Sequence, residues 1–319
     1  MPFRSLAMPE DINARVEKRK GQETIDKLKN SGLINREYKI IKDNEYIYIP
    51  VKENILNFDT VNMEGLPSAR IEPEKVSFSY DIIGNIAIIK GKSLEEAKYL
   101  SDFLKTRKNI KTVYLDKGIS GEFRTRQLVL IYGVPVYSTL YQENGIRLRV
   151  DISKAYFSPR LASERLRIAK EVSDGETIVD MFAGTGPFSL LIGKNRECRI
   201  MAMDKNPDAI ALLKENLKLN RLKGSIIPIV GDSGQLIQSY QNVDRVIMNL
   251  PHDAWEFIGM AYKSLKTGGL INYYEISDLT TLESRMESFR DMGLEIVYKR
   301  IVHGFSKYQN MYSIEMKKI

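Results

Sequence analysis

From about residue 151 to the end of the chain, short apolar runs alternate with segments of helical periodicity. This alternation is typical of a parallel β-sheet with helices on both faces. It predicts five buried strands, at 177–181, 199–203, 225–230, 245–248 and 269–276. Helices are predicted between them, near 187–194, 207–220 and 254–266. Two further strand-like runs, at 295–302 and 311–316, predict antiparallel strands at the sheet edge.

Prolines and glycines mark the predicted helix ends. Asn206-Pro207 supplies a capping side chain followed by a proline at the first helical position. Ser158-Pro159 predicts an earlier helix start in the same way. Gly268 follows the third helix, where a glycine commonly ends one.

The first 150 residues predict two smaller α/β units. A helix at 22–30, ended by Gly32, and an alternating strand at 45–50 form the first unit. The turn-rich stretch 63–75 is interpreted as a linker. For the second unit, a helix is predicted at 94–105 and strands are predicted at 76–80, 86–89, 113–115 and 147–150.

The predicted fold class is therefore α/β, a Rossmann-like doubly wound sheet preceded by two smaller α/β domains. The predicted domains are 1–62, 76–150 and 151–319, with 63–75 as the linker. With 43% hydrophobic residues among 319, the chain has the material for such cores.

Composition excludes several classes of protein. One cysteine excludes a disulfide framework, and one cysteine with two histidines excludes a His/Cys zinc site, so no metal is expected. The chain has no apolar run of 18 residues or more, and its first residues do not resemble a signal peptide. We therefore expect a cytoplasmic protein that does not enter a membrane.

The net charge of +7 is unevenly distributed. Between residues 103 and 149, nine Lys and Arg face three acidic side chains. A local excess of this kind suits contact with a polyanion such as RNA. An ordinary solvated surface explains it equally well until another signal supports RNA.

The strongest local motif is 180–186, Asp-Met-Phe-Ala-Gly-Thr-Gly, directly after the first predicted strand of the sheet. Two glycines one residue apart allow a sharp turn and close approach of a ligand. Ser189 stands where a dinucleotide fingerprint has its third glycine. Asp204 and Asp232 follow the next two strands, at the edge where ligands of this fold bind. Together these features favour S-adenosylmethionine over NAD, the alternative being a purely structural turn.

A second motif, Asn249-Leu250-Pro251-His252, ends the fourth strand. The asparagine side chain and a backbone carbonyl of such a turn can accept hydrogen bonds from a planar base, which suits a methyltransferase acting on a ring nitrogen. An ordinary strand-ending turn is the alternative. His252 is a weaker catalytic candidate, because a single histidine is more often a packing or rim residue.

A third cluster combines 121–126, Gly-Glu-Phe-Arg-Thr-Arg, with 156–160, Tyr-Phe-Ser-Pro-Arg, and a helix that carries Glu164, Arg165 and Arg167. An acid among so many arginines is normally part of a structural ion pair. Spacing alone therefore favours an ion-paired Glu164 over a catalytic one.

In this order, the runs 121–126, 157–165, 180–186 and 249–251 resemble the archaeal and eukaryotic tRNA (guanine-37-N1)-methyltransferase family. The resemblance is dense from about 117 to 275 and looser before that. It implies a small N-terminal tRNA-recognition domain, a basic RNA-contacting middle domain and a domain that binds S-adenosylmethionine. The implied partner is tRNA with guanine at position 37, and the implied state is a monomer.

The resemblance also implies roles for individual residues. Arg124 stabilises negative charge on guanine O6, Glu164 is the general base for the N1 proton, and Asn249 positions the base. The implied cofactor-binding residues are Asp180, Phe182, Gly184, Gly186, Asp204, Asp232, Asn249 and Pro251. The implied substrate-binding residues are Tyr156, Arg126, Arg160, Arg165 and His252.

The chemistry of guanine is consistent with these roles. Guanine N1 carries a proton at neutral pH, so a base must remove it, and charge then develops on O6. Related alternatives are a wybutosine-pathway aminocarboxypropyl transferase and a dual-function enzyme that also methylates C7 of the tricyclic base. Retention of Pro159-Arg160 favours methyl transfer over the first of these. A methyltransferase acting on the guanine exocyclic amine and a non-catalytic tRNA-binding protein are more distant alternatives.

Overall fold

The computed structural model describes residues 10–35, 37–55, 58–64, 79–91, 93–123, 125–306 and 308–319. The chain divides into two compact units, Met1–Ser77 and Phe78–Ile319. Each unit has its own hydrophobic core. No helix within the described residues is long and apolar enough to cross a membrane.

The first unit is a four-stranded antiparallel sheet with one helix. Its elements are β1 (Glu10–Glu17), α1 (Gly21–Asn30), β2 (Ile41–Lys42), β3 (Tyr46–Pro50) and β4 (Asp59–Glu64). The strand order is β2-β3-β1-β4, and Leu28 of the helix packs on Ala14 and Ile49. The predicted helix and strand are confirmed, whereas β1 and β4 were not predicted. The predicted linker is wrong at its start, since Met63 and Glu64 pair with β1; residues 65–75 lie outside the described residues.

The second unit begins with another four-stranded sheet and a two-stranded ribbon. Their elements are β5 (Tyr80–Ile83), β6 (Ile86–Lys90), α2 (Leu94–Leu104), β7 (Thr112–Ser120), β8 (Thr125–Gly133), β9 (Ser138–Glu143) and β10 (Ile146–Asp151). A capping box between Ser93 and Glu96 starts α2, which connects the parallel strands β6 and β7. Of the predicted strand 76–80, residues 76–78 lie outside the described residues. Strands β8 and β9 were not predicted.

A seven-stranded sheet fills the rest of this unit. Its strands are β11 (Thr177–Asp180), β12 (Arg199–Asp204), β13 (Ser225–Val230), β14 (Val243–Met248), β15 (Leu265–Ser277), β16 (Leu294–Gly304) and β17 (Asn310–Lys318). The order is β13-β12-β11-β14-β15-β17-β16. The first five strands are parallel, and β17 runs antiparallel to both β15 and β16. The predicted fold class is confirmed.

Helices cover both faces of this sheet. They are α3 (Ala162–Glu171), α4 (Pro187–Asn195), α5 (Pro207–Lys218), α6 (Ser233–Leu236), α7 (Ile258–Ser264) and α8 (Leu279–Asp291), with short 3₁₀ turns at Pro159–Leu161 and Ala254–Phe257. As predicted, the Asn206 side chain caps α5, accepting hydrogen bonds from the backbone N–H of Asp208 and Ala209. The helix ending at Gly268 is a wrong prediction: α7 ends at Ser264, and Gly268 lies within β15. The Ser158 side chain makes no capping hydrogen bond.

Two asparagines of the region around α5 bind the ribbon strand β10 through its backbone. Asn216 accepts a hydrogen bond from Arg149 N (2.6 Å) and donates to Arg149 O (3.2 Å). Asn220 repeats the pattern on Arg147, at 2.9 and 2.8 Å. Asn216 also donates to Thr185 O (3.1 Å), in the loop after β11. The helix, the ribbon and the loop are therefore held together by one side chain.

Candidate active site

A cleft of about 650 Å³ lies at the carboxyl edge of the parallel strands. Loops that follow β11, β12, β13 and β14 line it, together with 121–123 and 155–158. Ligands of doubly wound sheets bind at this edge. The cleft brings together nine of the predicted site residues, Tyr156, Arg165, Phe182, Gly184, Asp204, Asp232, Asn249, Pro251 and His252.

The cleft has two halves, because β12 and β13 lie on one side of β11 and β14 lies on the other. We call the part that carries Gly184, Asp204 and Asp232 the acidic half. The part that carries Asn249, at the end of β14, is the amide half.

Two glycines with positive φ form the turn of the acidic half. Gly184 has φ +54° and lines the cleft, and Gly186 has φ +83° at the start of α4. A Cβ on Gly186 would come within 2.1 Å of Leu213 Cδ1, so a side chain here would displace Leu213 of α5. Ser189 replaces the third glycine of the dinucleotide pattern, and its hydroxyl donates to Asp180 Oδ2 at 2.7 Å. This bond ties the helix to the strand end.

The two aspartates of the acidic half are positioned by backbone N–H groups. Asp204 accepts hydrogen bonds from Gly184 N (2.7 Å) and Asn206 N (2.9 Å), and Asp232 accepts one from Gln235 N (3.1 Å). Burial raises the pKa of Asp204, and the two N–H donors oppose that shift. Both carboxylates are thus fixed before a ligand arrives, with further lone pairs for ribose hydroxyls.

Beneath them, Asp180 is fully buried rather than lining the cleft. Burial raises its pKa to about 7, opposed by the Ser189 hydroxyl. Asp180 therefore holds the glycine turn in place and does not face a ligand directly.

An aromatic wall completes the acidic half; Phe182 in it was predicted from the sequence, and Phe257 was not. The rings of Phe182 and Phe257 meet edge to face with centroids 5.1 Å apart, and both line the cleft. Thr185 also lines the cleft, and its Oγ1 is buried without a hydrogen-bond partner among the described residues. Acceptors, an unpaired hydroxyl and an apolar wall match the ribose and adenine of S-adenosylmethionine, so the residues present fit this group.

In the amide half, Asn249 presents an unsatisfied acceptor. Its Oδ1 is buried and has no hydrogen-bond partner among the described residues. The carbonyl of Leu250 already accepts from Asp253 N and Ala254 N, and that of Pro251 from Ile276 N. Leu250 O therefore has both lone pairs occupied, whereas Pro251 O keeps one lone pair, so a ligand contact to a backbone carbonyl of this turn stays a prediction. A buried acceptor without a partner costs free energy unless a ligand donates to it.

Glu164 lies at the start of α3, is completely buried and does not line the cleft. Its Oε1 accepts hydrogen bonds from Ser313 Oγ (2.7 Å), Tyr274 OH (3.0 Å) and Arg167 Nη2 (2.6 Å). Its Oε2 lies 3.3 Å from Arg167 Nε and 3.6 Å from Arg300 Nη1. Burial alone would raise the pKa of Glu164, but the donors together lower it below its usual value.

Three arginines from the predicted substrate set make contacts within the protein. Arg165 lines the cleft but is buried in an ion pair with Glu143, and it donates to Ser158 O. Arg160 does not line the cleft; it donates to Asp81 Oδ1 on β5 at 2.7 Å. Arg126 is also buried, and it pairs with Asp116, donates to Phe157 O at 3.1 Å and lies over the Tyr156 ring. These arginines fix the 156–160 segment against β5, β7 and β9.

The remaining predicted residues are His252 and Arg124. The His252 ring lies 5.8 Å from the ring of Phe305, at the tip of the β16–β17 hairpin. Phe305 and His303 also line the cleft, and nothing in the sequence placed them there. Arg124 lies outside the described residues. No cluster of three or more potential metal-binding His, Cys, Asp or Glu occurs in the described part of the chain.

Comparison with known proteins places these features in a family context. The family model described as the TRM5/TYW2 methyltransferase domain matches residues 139–302. The tRNA methyltransferase 5 N-terminal domain matches 15–59, and the TYW2 N-terminal domain matches 64–136.

Individual relatives extend over most of the chain. The tRNA (guanine(37)-N(1))-methyltransferase Trm5b of Pyrococcus abyssi is 36% identical, covering 96% of this chain and 98% of its own. Its crystal structure superposes with a TM-score of 0.71 at 35% identity, over 96% of this chain and 99% of that one. The tRNA(Phe) (4-demethylwyosine(37)-C(7)) aminocarboxypropyltransferase of Methanocaldococcus jannaschii is 33% identical, over 73% of this chain and 92% of its own.

Proposed function

The chain belongs to the TRM5/TYW2 methyltransferase family, and on that premise we propose that it methylates N1 of guanine 37 in tRNA. The family and fold class predicted from the sequence are confirmed. Trm5b enzymes from two archaea align with at least 95% of this chain at 36% identity, whereas the aminocarboxypropyl transferase aligns with 73% of it.

S-adenosylmethionine is the cofactor, and it supplies an electrophilic methyl group when bound. Asp204 and Asp232, which line the cleft, would accept hydrogen bonds from its hydroxyl and amino groups, and Gly184 would allow close approach of the backbone. Phe182 and Phe257 provide the apolar wall for the adenine. The acidic half of the cleft therefore binds the cofactor and leaves the amide half for the target base.

The observation that carries the proposal is the unsatisfied Oδ1 of Asn249. Guanine presents two neighbouring donors, the N1–H and the exocyclic amine, whereas adenine has an acceptor at N1 and a single donor group, its N6 amine. A buried acceptor at the end of β14 selects a base edge that donates, since any other edge leaves the acceptor unpaired. Tyr156, at the cleft wall and 46% exposed, offers a ring for the base to stack on.

Within this reaction we assign Glu164 as the general base and Arg124 as the group that stabilises charge on O6. The lowered pKa keeps Glu164 ionised at neutral pH, which is the form a base needs. Its Oε2 has longer polar contacts than Oε1, and it is the oxygen we assign to the N1 proton. Because Glu164 is buried behind the cleft, the assignment requires the base or the start of α3 to move on tRNA binding.

Binding of tRNA is assigned to the first unit and to the basic 103–149 segment, as the domain boundaries 1–62, 76–150 and 151–319 propose. Phosphate contacts supply affinity, and they offset the unstacking of the target base, which costs a few kcal/mol. The protein acts as a monomer in this proposal.

One observation bears on the aminocarboxypropyl alternative. Arg160 joins the segment before Glu164 to β5, through Asp81 (2.7 Å) and Ser79 Oγ (2.8 Å). This bond fixes the Pro159-Arg160 pair that we take as the mark of methyl transfer. The alternative ranks second because this pair is present and because the aminocarboxypropyl transferase aligns with 73% of the chain, against 96% for a Trm5b enzyme.

The test is methyl transfer to tRNA transcripts that carry G or A at position 37, followed by nucleoside mass spectrometry. We expect 1-methylguanosine from the G37 transcript alone. An aminocarboxypropyl product, or transfer only to tRNA that already carries the tricyclic base, would refute the proposal in favour of its alternative.

A further inference from the structure

The tip of the β16–β17 hairpin exposes two aromatic side chains. Phe305 is 52% exposed and Tyr308 73% exposed. The tip is ordered by backbone hydrogen bonds from Phe305 N (2.9 Å) and Ser306 N (3.0 Å) to Gln309 O. Two exposed aromatic rings at the edge of a cleft offer flat surfaces on which a planar partner can stack.

The topology places this tip at the same cleft as Asn249, which we assign to the target base. Strand β17 runs antiparallel to β15, and Asn310 at its start pairs with Ser277 at the end of β15. The tip therefore lies at the carboxyl edge, on the β14 side of the sheet and away from Asp204 and Asp232. Phe305 lines the cleft, and its ring meets that of His252, three residues after Asn249.

We propose that the hairpin tip is a stacking platform for the unpaired nucleotide next to the methylated guanine, with Phe305 as its main ring and Tyr308 as its outer one. The inference rests on the proposed function. A guanine that leaves the anticodon stack deprives its neighbour of a stacking partner. An aromatic side chain replaces that partner without reading the base identity.

Chemistry at the tip favours RNA over a protein partner. The sequence of the tip is Phe-Ser-Lys-Tyr, which places a cation between the two aromatic residues. Alternating aromatic and basic residues are typical of single-stranded nucleic-acid contacts, where rings stack on bases and cations meet phosphates. Since the cleft wall continues into the tip, one RNA strand can occupy both.

The experiment uses the full chain with Phe305→Ala, Phe305→Trp and Tyr308→Ala. Ile301→Ala is the matched control, because Ile301 lies on β16, four residues before Phe305, and is 53% exposed but does not line the cleft. Methyl transfer is measured at limiting and saturating tRNA, S-adenosylmethionine affinity by equilibrium dialysis, and stacking by the fluorescence of 2-aminopurine placed at position 36 or 38.

Loss of one stacking contact weakens binding by about tenfold. We expect kcat/KM for tRNA to fall by about that factor in Phe305→Ala and by less in Tyr308→Ala. Cofactor affinity and the Ile301→Ala values should stay at the wild-type level. Phe305→Trp should restore both kcat/KM and the quenching of 2-aminopurine.

Three results would overturn the platform. The first is a wild-type kcat/KM in both alanine variants. The second is that Phe305→Trp does not restore 2-aminopurine quenching at position 36 or 38. The third is that cofactor affinity falls together with kcat/KM, which would mean that the substitution disrupts the cleft. Failure of the proposed function can be distinguished from failure of the platform. In the first case the wild-type protein forms no 1-methylguanosine in tRNA, while 2-aminopurine quenching still reports on stacking.

Discussion

The two halves of the cleft differ in how their polar groups are satisfied. In the acidic half, Asp204 and Asp232 already accept hydrogen bonds from backbone N–H groups. In the amide half, Asn249 Oδ1 has no partner among the described residues, while Glu164 behind it is bound by several donors. The two carboxylates that we assign to the cofactor are thus held in place by the protein, whereas the Asn249 oxygen that we assign to the base has no protein donor among the described residues.

The largest effect is expected for Glu164→Gln. An amide still accepts hydrogen bonds from Tyr274 and Ser313 but cannot take a proton, so kcat should fall by about 10²- to 10⁴-fold. The buried ion pair with Arg167 is also lost, so the melting temperature should fall as well. Single-turnover kinetics well below that temperature separates the two effects.

Glu171→Gln is the matched control for this variant. Glu171 pairs with the same Arg167, at 2.7 Å, but from a more exposed position. It should keep wild-type turnover. Equal turnover losses in the two variants would show that the charge balance around Arg167 matters, and that Glu164 is not the base.

Next in size is the effect of Asn249→Ala, which removes the unsatisfied acceptor of the amide half. We expect kcat/KM for tRNA to fall by about 10²- to 10³-fold, as for loss of one preorganised polar group. Cofactor affinity, measured by calorimetry, should change much less. Asn195→Ala, which alters an asparagine on α4 outside the cleft lining, is the control. A large loss of cofactor affinity would instead show that Asn249 binds the cofactor, and that the two halves do not have separate ligands.

Asp204→Asn tests the acidic half, where we expect a loss of cofactor affinity and no effect on tRNA affinity. The amide oxygen can still accept from Gly184 N, but the charge and one acceptor are lost. We expect cofactor affinity to fall by about 10- to 100-fold with unchanged tRNA affinity. Asp208→Asn, a surface acid paired with Lys154, should leave both affinities as they are.

A smaller effect on chemistry is expected from deletion of residues 1–62. Every described residue that lines the cleft belongs to the second unit, so transfer at saturating tRNA and cofactor affinity should persist. Affinity for full-length tRNA should fall, as filter binding would show. Unchanged affinity would remove the first unit from the tRNA contact.

The smallest change concerns Asp180, below the acidic half. Its pKa of about 7 in the folded chain exceeds the unfolded value of 3.8. The folded state therefore binds more protons, and the free energy of unfolding should decrease as pH rises from about 4 to 7. Asp180→Asn should flatten that decrease, which amounts to a few kcal/mol at most. Urea titrations of both proteins at pH 5 and pH 8 measure the change in the free energy of unfolding between these pH values. An equal change in wild type and in Asp180→Asn would mean that other groups cause the decrease.

The acidic half was predictable because its signals are local. Glycines that need positive φ and acids that follow buried strands are visible in a few consecutive residues, and Gly184, Asp204 and Asp232 lie where the strands place them. Even the substitution of Ser189 for glycine has a local reason, its bond to Asp180.

The amide half and its surroundings were harder to predict, because their contacts are distant in sequence. Glu164 is bound by Tyr274 and Ser313, which are 110 and 149 residues away along the chain. Arg160 bonds Asp81 across 79 residues. The sequence indicated that these groups are charged and numerous, but only the fold assigns each arginine to its carboxylate.

The prediction of secondary structure was wrong where the local sequence is typical of a different element. Gly268, with φ +80°, resembles a helix end, yet β15 continues through it. Strand β1 has apolar residues on one face only, Ile12, Ala14 and Val16, among charged neighbours. Its pairing with β3 and β4 overrides that polar composition.

The hydrogen bonds that Asn216 and Asn220 make with the backbone of β10 have a consequence for aggregation. A strand edge with unpaired N–H and C=O groups can recruit a strand from another molecule and start aggregation. Asn216 and Asn220 bind the N–H and C=O of Arg149 and Arg147, which are the groups such a strand would need. Replacing both asparagines by leucine keeps their size but reopens that edge, and turbidity on heating would then increase.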